Sequence, residues 1–515
     1  MILKKFILFI LGIVVINLLV GLIPFRIDVT QDQRYSLSER FKNLIKSVNE
    51  PLVLEVFLQG DVPPEFQLLK SETAFMAQNI ARVNPKFVKI KFNRSLDELT
   101  DEQLRAQLAK YAELGMQAAR ISVKERGQLT EKVVLPYALA EYKGIKMPIK
   151  LLQNNSAYES QDRVDVSLQQ LEYRFADAFL KLVKVREKKI AVMRSKGELS
   201  DIELYSFLNA LRPYYYIAPF SLDSAEINPN KTLRQLKNFD LLIEAKPTKT
   251  FTESEKLIID QYFMSGGKML WALDPVIMEQ DSLYNPDGKA VAIPRDLNLK
   301  DLFFRYGFRV ERGLVRDLNS APLVMAIEEG RNTNYRPFPW TYFPIVEAIN
   351  LPIYKGTEGI KLSYAGFLDT LPGKRSKTVL LQSSQRNIIE PLPALIELNE
   401  VNKGIDIAAY NNPPRIIATS LKGGFRSAYK NRIKPFEPEE FLDTISENHL
   451  IAIADGDILR NEVQRGEPTE LGADRFTGFN YGNKDFLINS IHFMLNEEGL
   501  LQLMQKDFRI PFLSP

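Results

Sequence analysis

Asp240-Leu-Leu-Ile-Glu-Ala-Lys-Pro247, followed by Thr252-Glu-Ser-Glu255 and by Ser265-Gly-Gly-Lys-Met-Leu-Trp-Ala-Leu-Asp-Pro275, decides the fold of this chain. Leu241 to Ala245 is a short apolar run between breakers, as in a strand buried on both faces. Thr252 and Glu255 have the spacing of a capping box, which opens a helix to Met264. Gly266-Gly267 ends that helix. Lys268 to Leu273 is a second strand, stopped by Asp274-Pro275. Strand, helix and strand at this spacing predict a βαβ unit in a parallel sheet.

The same pattern extends outward. Upstream, Ile190-Ala-Val-Met193 reads as a strand and Ser200 to Leu211 as its helix. Downstream, Arg415 to Ala418 and Leu450 to Ala454 read as strands, the latter ending at Asp455-Gly456-Asp457, and a helix follows from Asp485 to Leu495. Residues 276–403 lack this regularity and are rich in Pro and aromatics, as in Tyr335-Arg-Pro-Phe-Pro-Trp-Thr-Tyr-Phe343. That stretch reads as a Pro-stiffened loop, with ring stacking on a sugar or a partner as the alternative. The expectation for 188–515 is a doubly wound α/β domain, flavodoxin- or amidotransferase-like, with an irregular insertion at 276–403.

Residues 26–187 alternate differently. Leu52 to Leu58 is a strand, Pro64 to Val83 a helix, and Phe87 to Phe92 a half-buried strand. Thr100 and Gln103 cap a helix to Leu114. Strand-like runs Ala119–Val123 and Val133–Tyr142 follow, then a helix from Arg163 to Val185 whose apolar stripe holds Leu171, Phe175 and Phe179. The order resembles a thioredoxin-like α/β domain. The chain has no cysteine, so such a domain would be redox-dead.

Before it, Lys4 and Lys5 precede an uncharged run from Phe6 to Phe25. Its length of about 20 residues suits a membrane-crossing helix. The positive-inside rule leaves the lysines in the cytoplasm. A cleaved signal would end in small residues, whereas Leu19 to Phe25 is bulky at almost every position. The expectation is a single-pass anchor, residues 1–25, in the inner membrane, with the bulk of the chain in the periplasm.

Composition narrows the chemistry. Net charge is +3 on 67 basic and 64 acidic residues, which gives no electrostatic footprint for nucleic acid. The absence of cysteine removes thiol nucleophiles and thiolate metal sites. The two histidines, His449 and His492, stand apart from any G-x-S-x-G elbow. Arg194 to Glu198 occupies a strand-to-helix loop but lacks the glycines of a phosphate cradle. Asp274, Asp455 and Asp457 remain as candidate ligand-binding residues. They sit at strand ends, the edge where open α/β sheets bind ligands. Their oxygens suit a divalent cation, and a solvated turn is the plainer reading of both segments. No cofactor is expected.

Three blocks carry a family resemblance: Asp240 to Pro275, Ile451-Ala-Ile-Ala-Asp-Gly-Asp-Ile-Leu-Arg-Asn461, and Tyr481-Gly-Asn-Lys-Asp-Phe-Leu-Ile-Asn-Ser-Ile-His-Phe-Met-Leu495. With Arg34-Tyr-Ser-Leu-Ser38 after the anchor, they resemble the GldG-like auxiliary proteins of gliding-motility ABC transporters, which have been called substrate-binding components. The resemblance implies a non-enzymatic extracytoplasmic subunit. Its partners would be an ABC permease and, through it, a cytoplasmic ATPase; a second copy of the chain is a further candidate. A periplasmic sugar- or glycan-binding module that presents ligand to the permease is the alternative. Two departures stand out. The family often shows a Gly-His-Gly-Glu-like turn where this chain has Ser195-Lys-Gly-Glu198, so no role for that histidine transfers. Such proteins also commonly continue into a second membrane helix, and no further apolar span precedes Pro515. Either the sequence is trimmed there or this member lacks that helix.

Overall fold

Ser38 caps the first helix described, Glu39–Lys46 (α1), by accepting a hydrogen bond from the Phe41 amide at 3.2 Å. This is a computed structural model. It describes residues 36–495 apart from 61, 63, 94–95, 97–98, 126–127, 153–159, 185, 330–331 and 350–358. The expected anchor at Phe6–Phe25 lies outside the described residues. Among those described, no helix is long and apolar enough to cross a membrane. The chain is mixed α/β and divides into two compact units, one built on residues up to Gln153 with Ser160–Val183, the other from Lys184 onward.

In the first unit, Leu52–Val56 (β1) is central. It pairs in parallel with Val88–Phe92 (β2) across the helix Pro64–Val83 (α2). The predicted capping box at Thr100 and Gln103 is present and opens Asp101–Glu113 (α3). A hairpin, Ala119–Glu125 (β3) with Gln128–Val134 (β4), then pairs only with itself among the described residues. Tyr137–Tyr142 (β5) runs antiparallel to β1, and Ile145–Lys150 (β6) antiparallel to β5, giving the order β2-β1-β5-β6.

Three sequence readings change here. Val133–Tyr142 is not one strand, because Pro136 separates the hairpin from β5. β6 was not expected. It is an edge strand, which is where Pro148 is tolerated. The last helix is also two, Ser160–Gln169 (α4) and Leu171–Val183 (α5). The predicted stripe on α5 is buried at Leu171, Phe175 and Phe179. Phe179 meets Phe41 edge to face at 5.5 Å, which ties α1 to this core.

The second unit is organised by a nine-stranded sheet. Lys189–Met193 (β7), Tyr216–Phe220 (β8), Leu241–Ala245 (β9), Lys268–Ala272 (β10) and Thr444–Ile453 (β15) are parallel neighbours in the order β8-β7-β9-β10-β15. Phe308–Val310 (β11), Leu368–Thr370 (β12), Ser376–Gln382 (β13) and Ile416–Arg426 (β14) extend it in antiparallel fashion beyond β15.

Helices cover both faces. Ile190, Ile243, Leu270 and Ile453 pack against Tyr205–Leu211 (α6) and Asn483–Met494 (α10). Ala191, Leu242, Trp271 and Ala452 pack against Pro229–Leu236 (α7), Glu253–Met264 (α8) and Lys300–Tyr306 (α9). Two-sided burial is why the central strands read as unbroken apolar runs. Glu244 on β9 is the exception. Its carboxyl is fully buried without a hydrogen-bond partner among the described residues, and burial holds its pKa well above the usual range.

The predicted cap of α8 forms, with Thr252 and Glu255 bonded reciprocally. After α8, Gly266 takes φ +103°, and a Cβ on Gly267 would lie 2.2 Å from the Tyr262 ring, so both glycines are sterically required. Within 276–403, α9 and β11–β13 join the large sheet. Other segments form small antiparallel pairs around a core of their own. Asn332–Phe338 is a hairpin strand, and Trp340, Tyr342 and Phe343 are buried in that core.

Candidate functional site

The strand order reverses between β7 and β9, so chain connections leave in opposite directions from this point. Such a switch leaves a crevice at the carboxyl ends of the strands. Lys246 follows β9, Asp274 lies just past β10, and Asp455 and Asp457 lie just past β15. Parallel pairing of β9 with β10, and of β10 with β15, brings these three loops side by side. The three aspartates predicted from sequence therefore converge, one carboxylate oxygen of each lying within 4.8 Å of those of the other two.

A cation of the protein's own stands among them. Lys246 Nζ lies 2.7 Å from Asp457 Oδ1, 3.0 Å from Asp274 Oδ2 and 2.8 Å from Glu279 Oε1. Lys246 is 3% exposed, so these contacts replace nearly all of its hydration. Its backbone takes φ +61°, a conformation uncommon for a residue with a Cβ and often retained at functional sites. Gly456 packs on its stem: a Cβ there would come within 2.6 Å of Lys246 Cβ and Cγ.

Each aspartate is held differently. Asp455 is fully buried and accepts the amides of Ile458 at 2.9 Å and Ser363 at 2.7 Å. Asp274 accepts the Gly456 amide at 2.5 Å. Asp457 also receives Arg460 at 2.9 Å. Arg460 continues to Glu203 at 2.6 Å and Glu279 at 3.1 Å. Lys246, Glu203, Glu279 and Arg460 were not singled out from sequence. Helix α6 begins at Tyr205 rather than Ser200, and Ser200 instead donates to Glu203, which leaves that carboxylate facing Arg460.

The carboxylates outnumber the cations, and titration follows. Burial and the charge of Asp274 push Asp457 up to about 6, against the pull of Lys246 and Arg460. Burial, with Asp274 and Asp457, holds Asp455 well above the usual carboxylate range. Burial opposes the Lys246 ammonium, but the surrounding carboxylates outweigh it and hold it above the usual lysine range. A carboxyl with a raised folded pKa binds its proton more tightly in the native state, so stability falls as pH rises through the window between the two pKa values. Glu279 is shifted the other way by Lys246, and its effect is confined to lower pH. The second unit should therefore lose about 3 kcal/mol between about pH 4 and 6 on account of Asp457. Asp457→Asn should flatten that fall in a pH series of denaturant midpoints; an unchanged slope would refute the assignment.

Three aspartates and no internal cation would make an oxygen-ligand metal site. Here the ammonium takes the cation's place, and the arrangement is that of a closed ion cluster. The histidines lie elsewhere. Burial pushes His449 down to about 3, and its Nε2 is 2.7 Å from Ser420 Oγ, midway along β15. His492 Nδ1 is 2.6 Å from the Tyr215 hydroxyl, inside the core under α10. The Arg194–Glu198 loop is occupied by its own contacts: Glu198 accepts the Lys196 amide, and Lys196 Nζ reaches Glu255.

Comparison with known proteins adds a family. The model of a domain of unknown function, DUF7088, matches residues 31–141. An uncharacterized protein of Borreliella burgdorferi is 20% identical over 420 residues, covering 79% of this chain and 74% of that protein. Among solved structures, the N-terminal domain of mmIFT52 is similar at 14% identity and a TM-score of 0.34, over 60% of this chain and 97% of that one. A putative ThuA-like protein of Parabacteroides merdae is similar at 9% identity and 0.30, over 61% and 91%. These structural likenesses are too remote to bear on function. The model of the ABC-type uncharacterized transport system matches residues 187–490, most of the chain and the whole of the cluster just described, and the chain belongs to that family of ABC-transport auxiliary proteins.

Proposed function

We propose that this protein is a non-enzymatic, extracytoplasmic subunit of an ABC-type complex that serves gliding motility and the associated secretion. In this reading Phe6–Phe25 anchors it in the inner membrane, and a thioredoxin-like domain and a doubly wound domain stand in the periplasm. It engages an ABC permease and, through it, a cytoplasmic ATPase. The observation that carries the reading is the family match over 187–490. The cluster at the strand ends supports a binding or structural role, since Lys246 and Arg460 already engage its carboxylates. Affinity purification of the full chain from detergent-solubilised membranes should bring down a permease and an ATPase in comparable amounts. Isolation without either would overturn the proposal.

A second reading, a sugar- or glycan-binding module, is favoured by one feature. A cleft of about 490 Å³ opens beside Asp457, lined by Tyr284, Phe343 and Phe476 together with Glu279, Arg460 and Asp474. Rings with flanking carboxylates and guanidinium can stack on and hydrogen-bond a sugar. A glycan panel that leaves the melting temperature unmoved would remove this reading.

A further inference from the structure

A second cleft, of about 750 Å³, lies along α9 and the 428–432 segment, on another flank of the second unit. That volume is typical of a small-molecule site. Its floor is apolar, with Leu297 and Phe303 buried and Phe304 60% exposed. Its rim is strongly basic. The carboxylates along it are already paired. Asp274 holds Lys246 at 3.0 Å, and Asp296 holds Lys300 at 3.4 Å. Asp301 holds Lys256 and Arg432, each at 2.8 Å, and Glu311 holds Arg309 at 3.4 Å.

Three guanidinium groups are left over. Arg295, Arg305 and Arg312 line the cleft and have no carboxylate at ion-pair distance among the described residues. Arg305 spends only its Nε, on the Ser427 carbonyl at 3.3 Å. Arg295 Nε is enclosed without a hydrogen-bond partner.

We propose that this cleft binds an organic anion: a phosphate or carboxylate head held by Arg295, Arg305 and Arg312, and an apolar body laid on Leu297, Phe303 and Phe304. Guanidinium groups match the paired oxygens of such heads geometrically as well as electrostatically. The cleft shares Asp274 with the Lys246 cluster, but Arg295, Arg305 and Arg312 are not members of that cluster, and binding does not depend on the transport partner.

The test is calorimetric titration of the full chain in neutral detergent with three probes: 1-naphthyl phosphate, 1-naphthol and inorganic phosphate. Naphthyl phosphate should bind saturably, and each of the other two at least ~10-fold more weakly, since each offers half of the recognition. Arg312→Gln, at an exposed position, should weaken naphthyl phosphate ~10-fold, and Arg295→Gln with Arg312→Gln ~100-fold. The single variant keeps the test valid if the double variant fails to fold. The proposal is overturned by no saturable binding to the wild type, by equal affinity for 1-naphthol or for inorganic phosphate, or by unchanged affinity in Arg312→Gln.

Discussion

Lys246→Met lowers the stability of the second unit by about 3–5 kcal/mol at neutral pH, the loss typical when one partner of a buried ion pair is removed. Methionine keeps the length and the apolar stem, so little of the loss comes from a cavity. What changes is charge. Asp274, Asp457 and Glu279 lose an ammonium at 2.7–3.0 Å, and only Arg460 remains nearby. Both tryptophans of the chain, Trp271 and Trp340, lie in the second unit, so their fluorescence in a denaturant series reports this unit alone. The variant should regain stability on acidification, as the freed carboxyls protonate. A loss under about 1 kcal/mol would mean that the ammonium is not the counter-charge of the cluster.

Asp260→Ala should cost roughly 4 kcal/mol in the same assay, from several buried donors left unpaired at about 1–3 kcal/mol each. Asp260 is fully buried on α8 and collects four donors. They are the Tyr306 hydroxyl at 3.0 Å, the Ala428 amide at 2.8 Å, the Ser427 hydroxyl at 2.6 Å and the Gln261 amide group at 3.0 Å. The carboxylate thereby joins α8, α9 and the segment after β14. Asp260→Asn, equal in shape but bearing donors of its own, should lose a substantial part of the same amount. A near-wild-type denaturation midpoint for the alanine variant would show that water replaces the carboxylate.

The parallel core was legible because two-sided burial writes itself as short apolar runs closed by Asp, Gly or Pro. Those closures also marked Asp274, Asp455 and Asp457, since strand ends are where an α/β sheet presents polar groups. Lys246 was not legible. In Glu244-Ala-Lys-Pro247 it resembles any solvated lysine after a strand, and only the lateral pairing of β9, β10 and β15 turns it into a counter-ion. Glu279 and Arg460 fail for the same reason. The antiparallel extension was hidden as well. β11 and β12 are three residues each, too short for alternation to show, and their pairing is set by distant partners. In the first unit, Ile145-Lys-Met-Pro-Ile-Lys150 looks like a loop because its outer edge has no strand neighbour among the described residues.

The position of β15 has a consequence for the order of assembly. It lies between β10 and β14, and Met269 on β10 pairs with Leu450 on β15. A ribosome therefore delivers β10 long before the strand that must lie against it. Until then β10 presents a bare apolar edge, a template for wrong pairing. Contacts of such sequence separation also slow folding. The strand completing the ion cluster is nearly the last to emerge, so fully paired second units appear late. Truncation before β15 leaves an open sheet, and truncation before Arg460 leaves the ion cluster incomplete.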